Sequence, residues 1–158
     1  MNIAIVTGAS SGMGREFVRQ LGGYVSVDEI WAVARRASAL ETLKAEASVP
    51  VRPIVLDLLE ESSFTELEAL LESEKPNVRL LVNAAGFGKF GAYQKVPAED
   101  DCRMIDLNCK ALLLMTRLCV PYMQPGSHIL ELDSLSAFQP VPYITTYAAT
   151  KAFVLSYS

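Results

Sequence analysis

At 158 residues, 51% of them hydrophobic, the chain is long enough to bury one continuous core and short for two domains of ordinary size. A charged fraction of 20% with a formal net charge of -4 argues against the basic footprint that holds DNA, RNA or an anionic bilayer. Cys102, Cys109 and Cys119 form no C-x-x-C pair, and their odd number predicts free thiols in a reducing compartment.

Short apolar, β-branched runs alternate with longer amphipathic stretches, the pattern of an α/β protein whose parallel strands are joined by crossover helices. The first strand falls near Ile3–Thr7. It is too short for a signal segment, lacks a basic leader and runs straight into a turn; nothing else reaches membrane-spanning length, so a cytoplasmic protein is expected.

That turn reads Thr7-Gly8-Ala9-Ser10-Ser11-Gly12-Met13-Gly14 and opens a helix near Gly12–Leu21. Gly8 permits a tight exit from the strand, Gly12 lets backbone approach a pyrophosphate, and Gly14 lets the helix sit close to the sheet. The helix start then offers unpaired N–H groups and the positive end of its dipole to phosphate. The second strand, near Ile30–Ala34, leads into Arg35 and Arg36. Dinucleotide sites often place an acid there for ribose hydroxyls; two guanidinium groups match a 2′-phosphate in geometry and charge instead.

A helix near Ser38–Ala47 is followed by a strand near Val51–Leu56, then Asp57 and a helix near Ser62–Ser73. The fourth strand, near Leu80–Asn83, leads into Asn83-Ala84-Ala85-Gly86 and then Phe87-Gly88-Lys89-Phe90-Gly91, where a substrate mouth is expected. One long helix is predicted over Pro97–Met123, with proline and acids in its first turn. It carries Asn108, a polar side chain in an apolar stretch, which needs a partner or a purpose. Cys102 and Cys109, seven apart, are expected on one face of it.

The fifth strand lies near Ile129–Leu132, with Ser134 at its end, and a last helix starts near Ile144 and is still running at Ser158. The lone histidine, His128, has no cysteine or second histidine at ligand spacing, so no metal site is expected. Tyr147 and Lys151 are four residues apart in the last helix, hence neighbours on one face. A free phenol, with a pKa near 10, is a poor acid or base at neutral pH. An ammonium about 4 Å away favours the phenolate by on the order of 4 kcal/mol at an intermediate dielectric, which would poise Tyr147 for proton transfer.

The T-G-x-x-x-G-x-G turn, the Asn83-Ala84-Ala85-Gly86 run and the order Asn108, Ser134, Tyr147, Lys151 together resemble the short-chain dehydrogenase/reductase family over nearly the whole chain. The resemblance implies a Rossmann-like, doubly wound parallel sheet in the order 3-2-1-4-5, a single domain over residues 1–158, and absence of the family's last strands. It implies a hydride exchange between NADP(H), with NAD less favoured, and a small carbonyl or alcohol substrate, in a homodimer or homotetramer. Thr7, Gly8, Ser10, Ser11, Gly12, Met13, Gly14, Arg35, Arg36, Asp57, Asn83, Ala84, Ala85, Gly86, Tyr147 and Lys151 would then meet the cofactor. Asp57 matches the family's adenine contact, and Ala84 stands where relatives carry a second asparagine. The resemblance further implies Tyr147 as acid/base, Lys151 as its partner and ribose ligand, Ser134 as donor to the substrate oxygen, and Asn108 as holder of a water on the proton path. The alternative is a dinucleotide-binding module that does not turn over.

Overall fold

The computed structural model describes residues 1–139 and 141–158. Five parallel strands, β1 (Asn2–Thr7), β2 (Glu29–Ala34), β3 (Val51–Val55), β4 (Asn77–Asn83) and β5 (His128–Glu131), form one sheet in the order β3-β2-β1-β4-β5. Helices α1 (Gly12–Gln20), α2 (Ala37–Leu43), α3 (Glu61–Glu74), α4 (Ala98–Ile105), α5 (Leu112–Cys119) and α6 (Thr145–Tyr157) cover it. The order reverses beside β1, and in open α/β sheets that switch point opens a crevice at the carboxyl ends of the strands.

Alternation along the central strands explains the two-sided core. From β1, Ile3 and Ile5 point to one face and join Trp31, Val33, Leu67, Leu71 and Met115 beneath α3 and α5. Ala4 and Val6 point to the other and join Ile30, Ala32, Val18, Leu40 and Leu43 beneath α1 and α2. All of these residues are buried. The small Ala4 and Ala32 on the second face leave room for α1 to lie close.

Three element boundaries depart from the sequence expectation, each for a local reason. β4 starts at Asn77, because Asn77 and Val78 pair with Asn2 and Ile3 of β1, and the register then shifts past Arg79, although Asn77 and Arg79 interrupt the apolar pattern. α2 stops at Leu43, and turns then form in which Ala45 N donates to Thr42 O and Glu46 N to Leu43 O. The long helix is three pieces: between α4 and α5, one wider turn of π-helix occupies Asp106–Ala111. Such an extra residue rotates the downstream part of the helix, so Cys102 is exposed while Cys109 is buried, not on one face as expected. The helix ends at Cys119, where Pro121 sits in a tighter turn, Val120–Tyr122.

Candidate active site

A groove of about 640 Å³ runs over the carboxyl ends of β1 to β4. Gly8, Ser10, Ser11, Gly12, Met13 and Gly14 form one wall. Gly8 has φ +66°, and a Cβ there would stand 2.8 Å from the carbonyl oxygen of Ala84, so the β1 exit and the β4 exit touch through bare backbone. A Cβ on Gly14 would lie 2.5 Å from Gly8 O, which explains how α1 starts directly against the turn. Gly12 faces open space with φ +55°, leaving backbone accessible to a ligand.

The cationic rim is built by two arginines with different partners. Arg36 folds back onto Ser10, its Nε 3.3 Å from Ser10 Oγ and its Nη2 3.1 Å from Ser10 O. Arg35 reaches Asp57, Nη1 to Oδ2 at 3.6 Å. Asp57 also accepts from Leu59 N at 3.1 Å, so it closes its own turn as well as lining the groove. Ala84, Ala85, Gly86 and Phe87 form the opposite wall, joined by Lys89 from the expected substrate mouth and by Asp100 and Arg103, two charged side chains that the sequence did not single out.

Four expected cofactor contacts, Thr7, Asn83, Tyr147 and Lys151, lie outside the groove lining, and the first two stand beneath it. Thr7 is buried, and its Oγ1 accepts from Ala84 N and Ala85 N, both at 3.0 Å. Asn83 is buried too; its Nδ2 donates to Thr116 Oγ1 at 3.1 Å and to Glu131 Oε1 at 3.2 Å. Both hold the β4 exit in place. Thr7→Val keeps the shape but deprives Ala85 N of its acceptor, while Ala84 N retains Val82 O. We expect urea unfolding to show a loss of about 1–3 kcal/mol, recovered by Thr7→Ser.

At the far end, the groove wall continues from Phe87 and Lys89 into the residues that hold Tyr147. A Cβ on Gly88 would lie 3.0 Å from Tyr147 Cδ2, and Phe90 meets the Tyr147 ring edge-on, centroids 6.1 Å apart at 63°. Gly91 N donates to Tyr143 O at 2.9 Å, tying that loop to the approach of α6. Lys151, one turn on, lies with its Nζ 5.8 Å from the centre of the Tyr147 ring and donates to Leu132 O at 2.6 Å. Burial lowers the Lys151 pKa, against the opposing charges of Asp133, Cys109 and Glu131.

Ser134, two residues beyond Leu132, accepts from Ser136 N at 3.2 Å and from Ser136 Oγ at 3.0 Å, which leaves its own O–H to donate. Asn108 sits in the π turn, which turns its side chain inward. Its Oδ1 accepts from Phe87 N at 3.0 Å; its Nδ2 donates to Phe87 O at 2.9 Å and to Thr150 Oγ1 at 3.1 Å. Thr150 Oγ1 in turn donates to Tyr147 O at 2.7 Å. Asn108 thus links the β4 exit to α6. Thr116, Thr150, Glu131 and Asp133 escaped sequence reasoning, although acids at alternate positions of an apolar strand were a visible signal.

A 3-2-1-4-5 parallel sheet with a glycine turn under α1 and a Tyr-Lys pair on the last helix defines a Rossmann-like domain with an adjoining polar centre. The chain belongs to the short chain dehydrogenase family, whose model matches residues 2–158. It is 35% identical, over 99% of its length and 63% of the relative's, to the NADP-dependent 3-hydroxy acid dehydrogenase YdfG of Escherichia coli strain K12. It is 34% identical to the very-long-chain 3-oxoacyl-CoA reductase of Aspergillus oryzae, covering 98% of this chain and 47% of that one. The crystal structure of serine dehydrogenase from Escherichia coli superposes with a TM-score of 0.86 at 32% identity, over 100% of this chain and 73% of that one. The chain therefore spans about half to two thirds of the length of the curated relatives it matches. No helix among the described residues is long and apolar enough to cross a membrane.

Proposed function

We propose that the chain is the nucleotide-binding and catalytic part of an NADP-dependent oxidoreductase acting on a carbonyl or alcohol. The observation that carries this is one groove that runs from the Arg35–Arg36 rim past the glycine turn to Phe87 and Lys89, in the same loop whose Gly88 and Phe90 pack against Tyr147; Tyr147, Lys151 and Ser134 stand beside the groove, outside its lining. The residues fit NADP: a diphosphate needs bare backbone at a helix start, which Gly8, Gly12 and Gly14 supply, and a 2′-phosphate needs cations, which Arg35 and Arg36 supply. The name of the relative YdfG carries the same cofactor. When bound, the nicotinamide supplies or accepts a hydride.

The chain's own residues then handle the proton and the oxygen. Tyr147 exchanges its phenolic proton with the substrate oxygen. Lys151 is the cationic partner of Tyr147 one helical turn on, and its remaining N–H groups would bind the nicotinamide ribose. Ser134 donates its free O–H to the oxygen as charge develops there. Asn108 is a positioning residue, fixing Tyr147 through Thr150; a water on the proton path would meet its main chain, because its side-chain amide is bonded at both ends. The names of the relatives direct attention to 3-hydroxy and 3-oxo acids or their thioesters as first substrates.

The test is a titration of the full-length protein with NADPH and NADH, followed by turnover of a 3-oxo ester panel read at the nicotinamide absorbance. NADPH should bind more tightly than NADH. Replacing both Arg35 and Arg36 by alanine should weaken NADPH by roughly tenfold to a thousandfold, about 1.4–4 kcal/mol, and leave NADH nearly unchanged. Equal loss for the two cofactors would remove the phosphate clamp, and binding without turnover on any substrate would favour the non-catalytic module.

A further inference from the structure

Beneath the Tyr147–Lys151 pair lies a set of buried polar groups that the proposed chemistry does not use. β5 ends at Glu131, and Asp133 follows two residues on, with Leu132 between them. The Lys151 ammonium reaches from α6 to the Leu132 carbonyl at 2.6 Å, on the residue that separates the two acids in the chain. Glu131 is held firmly: its Oε1 accepts from Asn83 Nδ2 at 3.2 Å and Thr116 Oγ1 at 3.0 Å. Its Oε2 and the Oδ1 of Asp133 are shut off from solvent with no hydrogen-bond partner among the described residues.

Carboxyl oxygens enclosed without donors are strongly unfavourable unless a nearby cation compensates them. The groups facing Lys151 are Glu131 at the end of β5, Asp133 just beyond it, the Cys109 thiol from the π turn, and the Tyr147 ring on its own helix. The two acids therefore compensate Lys151 as it compensates them. We propose that Glu131 and Asp133 are positioning residues which form the counter-charge of Lys151, holding its ammonium charged over the Leu132 carbonyl and so setting the pH range in which it can support Tyr147. This inference rests on the reading of Lys151 as the partner of Tyr147, but its test does not.

Burial lowers the Lys151 pKa and the charges of Asp133 and Glu131 raise it, so removing either charge lets the ammonium lose its proton at lower pH. The same cluster raises the Glu131 pKa by burial, opposed by its bonds to Asn83 and Thr116 and by Lys151.

The experiment is competitive labelling of amino groups in the full-length protein across a pH series, with the peptide carrying Lys151 quantified by mass spectrometry. In Asp133→Asn the labelling midpoint of Lys151 should fall by roughly half a pH unit or more while exposed Lys44 stays put. Glu131→Gln, which keeps an acceptor for Asn83 and Thr116, should shift it the same way and stands in if Asp133→Asn does not fold. A midpoint that stays put or rises in the folded variants overturns the proposal. Because labelling reads the ammonium itself, absence of turnover would count against the proposed function and leave this result standing.

Discussion

Tyr147→Phe in the full-length protein should reduce kcat by roughly a hundredfold to ten-thousandfold, the range that a positioned proton donor contributes, while NADPH affinity stays nearly unchanged. The ring is held by its carbon framework, against Phe90 and beside Gly88, and its backbone carbonyl is bonded by Thr150. Phenylalanine keeps all of these contacts. Only the hydroxyl is lost, and no groove-wall residue near the glycine turn depends on it. Stopped-flow binding and steady-state rates on the same preparation separate the two effects. A variant that keeps its rate would show that another group carries the proton; one that loses both rate and binding would show that the hydroxyl also holds the cofactor.

Gly14→Ala should have the second large effect, on stability and on cofactor binding together. The added methyl meets three backbone atoms, Gly8 O at 2.5 Å, Gly8 C at 2.8 Å and Thr7 O at 2.9 Å, none of which can rotate away. Relief requires α1 to lift from β1 or the turn to open. Overpacking of this kind costs about 3 kcal/mol, and a displaced helix start should weaken NADPH by about tenfold or more. Gly12→Ala isolates conformation from crowding: its Cβ would face open space, but φ is +55°, so about 1–2 kcal/mol of strain is expected. Gly23→Ala, with open space and no such φ, should be within about 0.5 kcal/mol of the parent. Calorimetric unfolding and NADPH titration of the three variants give the ranking.

Much of the fold was legible because parallel strands covered on both faces read as near-continuous apolar runs, and Ile3–Val6, Ile30–Ala34 and Leu80–Val82 are such runs. The glycine turn was legible because Gly8 and Gly14 have no alternative there: any side chain collides with backbone. What stayed hidden depends on three-dimensional register. A polar residue at a strand end points to the groove or to the core according to its neighbours, so Thr7 and Asn83 read as ligand contacts although their side chains bond inward. Helical periodicity tolerates one extra residue, so the π turn at Asp106–Ala111 left no trace beyond the polar Asn108 that it serves. The acids Glu131 and Asp133 were in plain view, but their meaning required the position of Lys151.

Transfer of label tests the central claim most directly. NADPH carrying two deuterium atoms at C4 of the nicotinamide, incubated with the full-length protein and a 3-oxo ester, should give a hydroxy ester with one deuterium on the carbinol carbon, and Tyr147→Phe should suppress its formation. Product without deuterium, or deuterium transfer undiminished when Tyr147 is replaced, would contradict the assignment of this groove and its tyrosine.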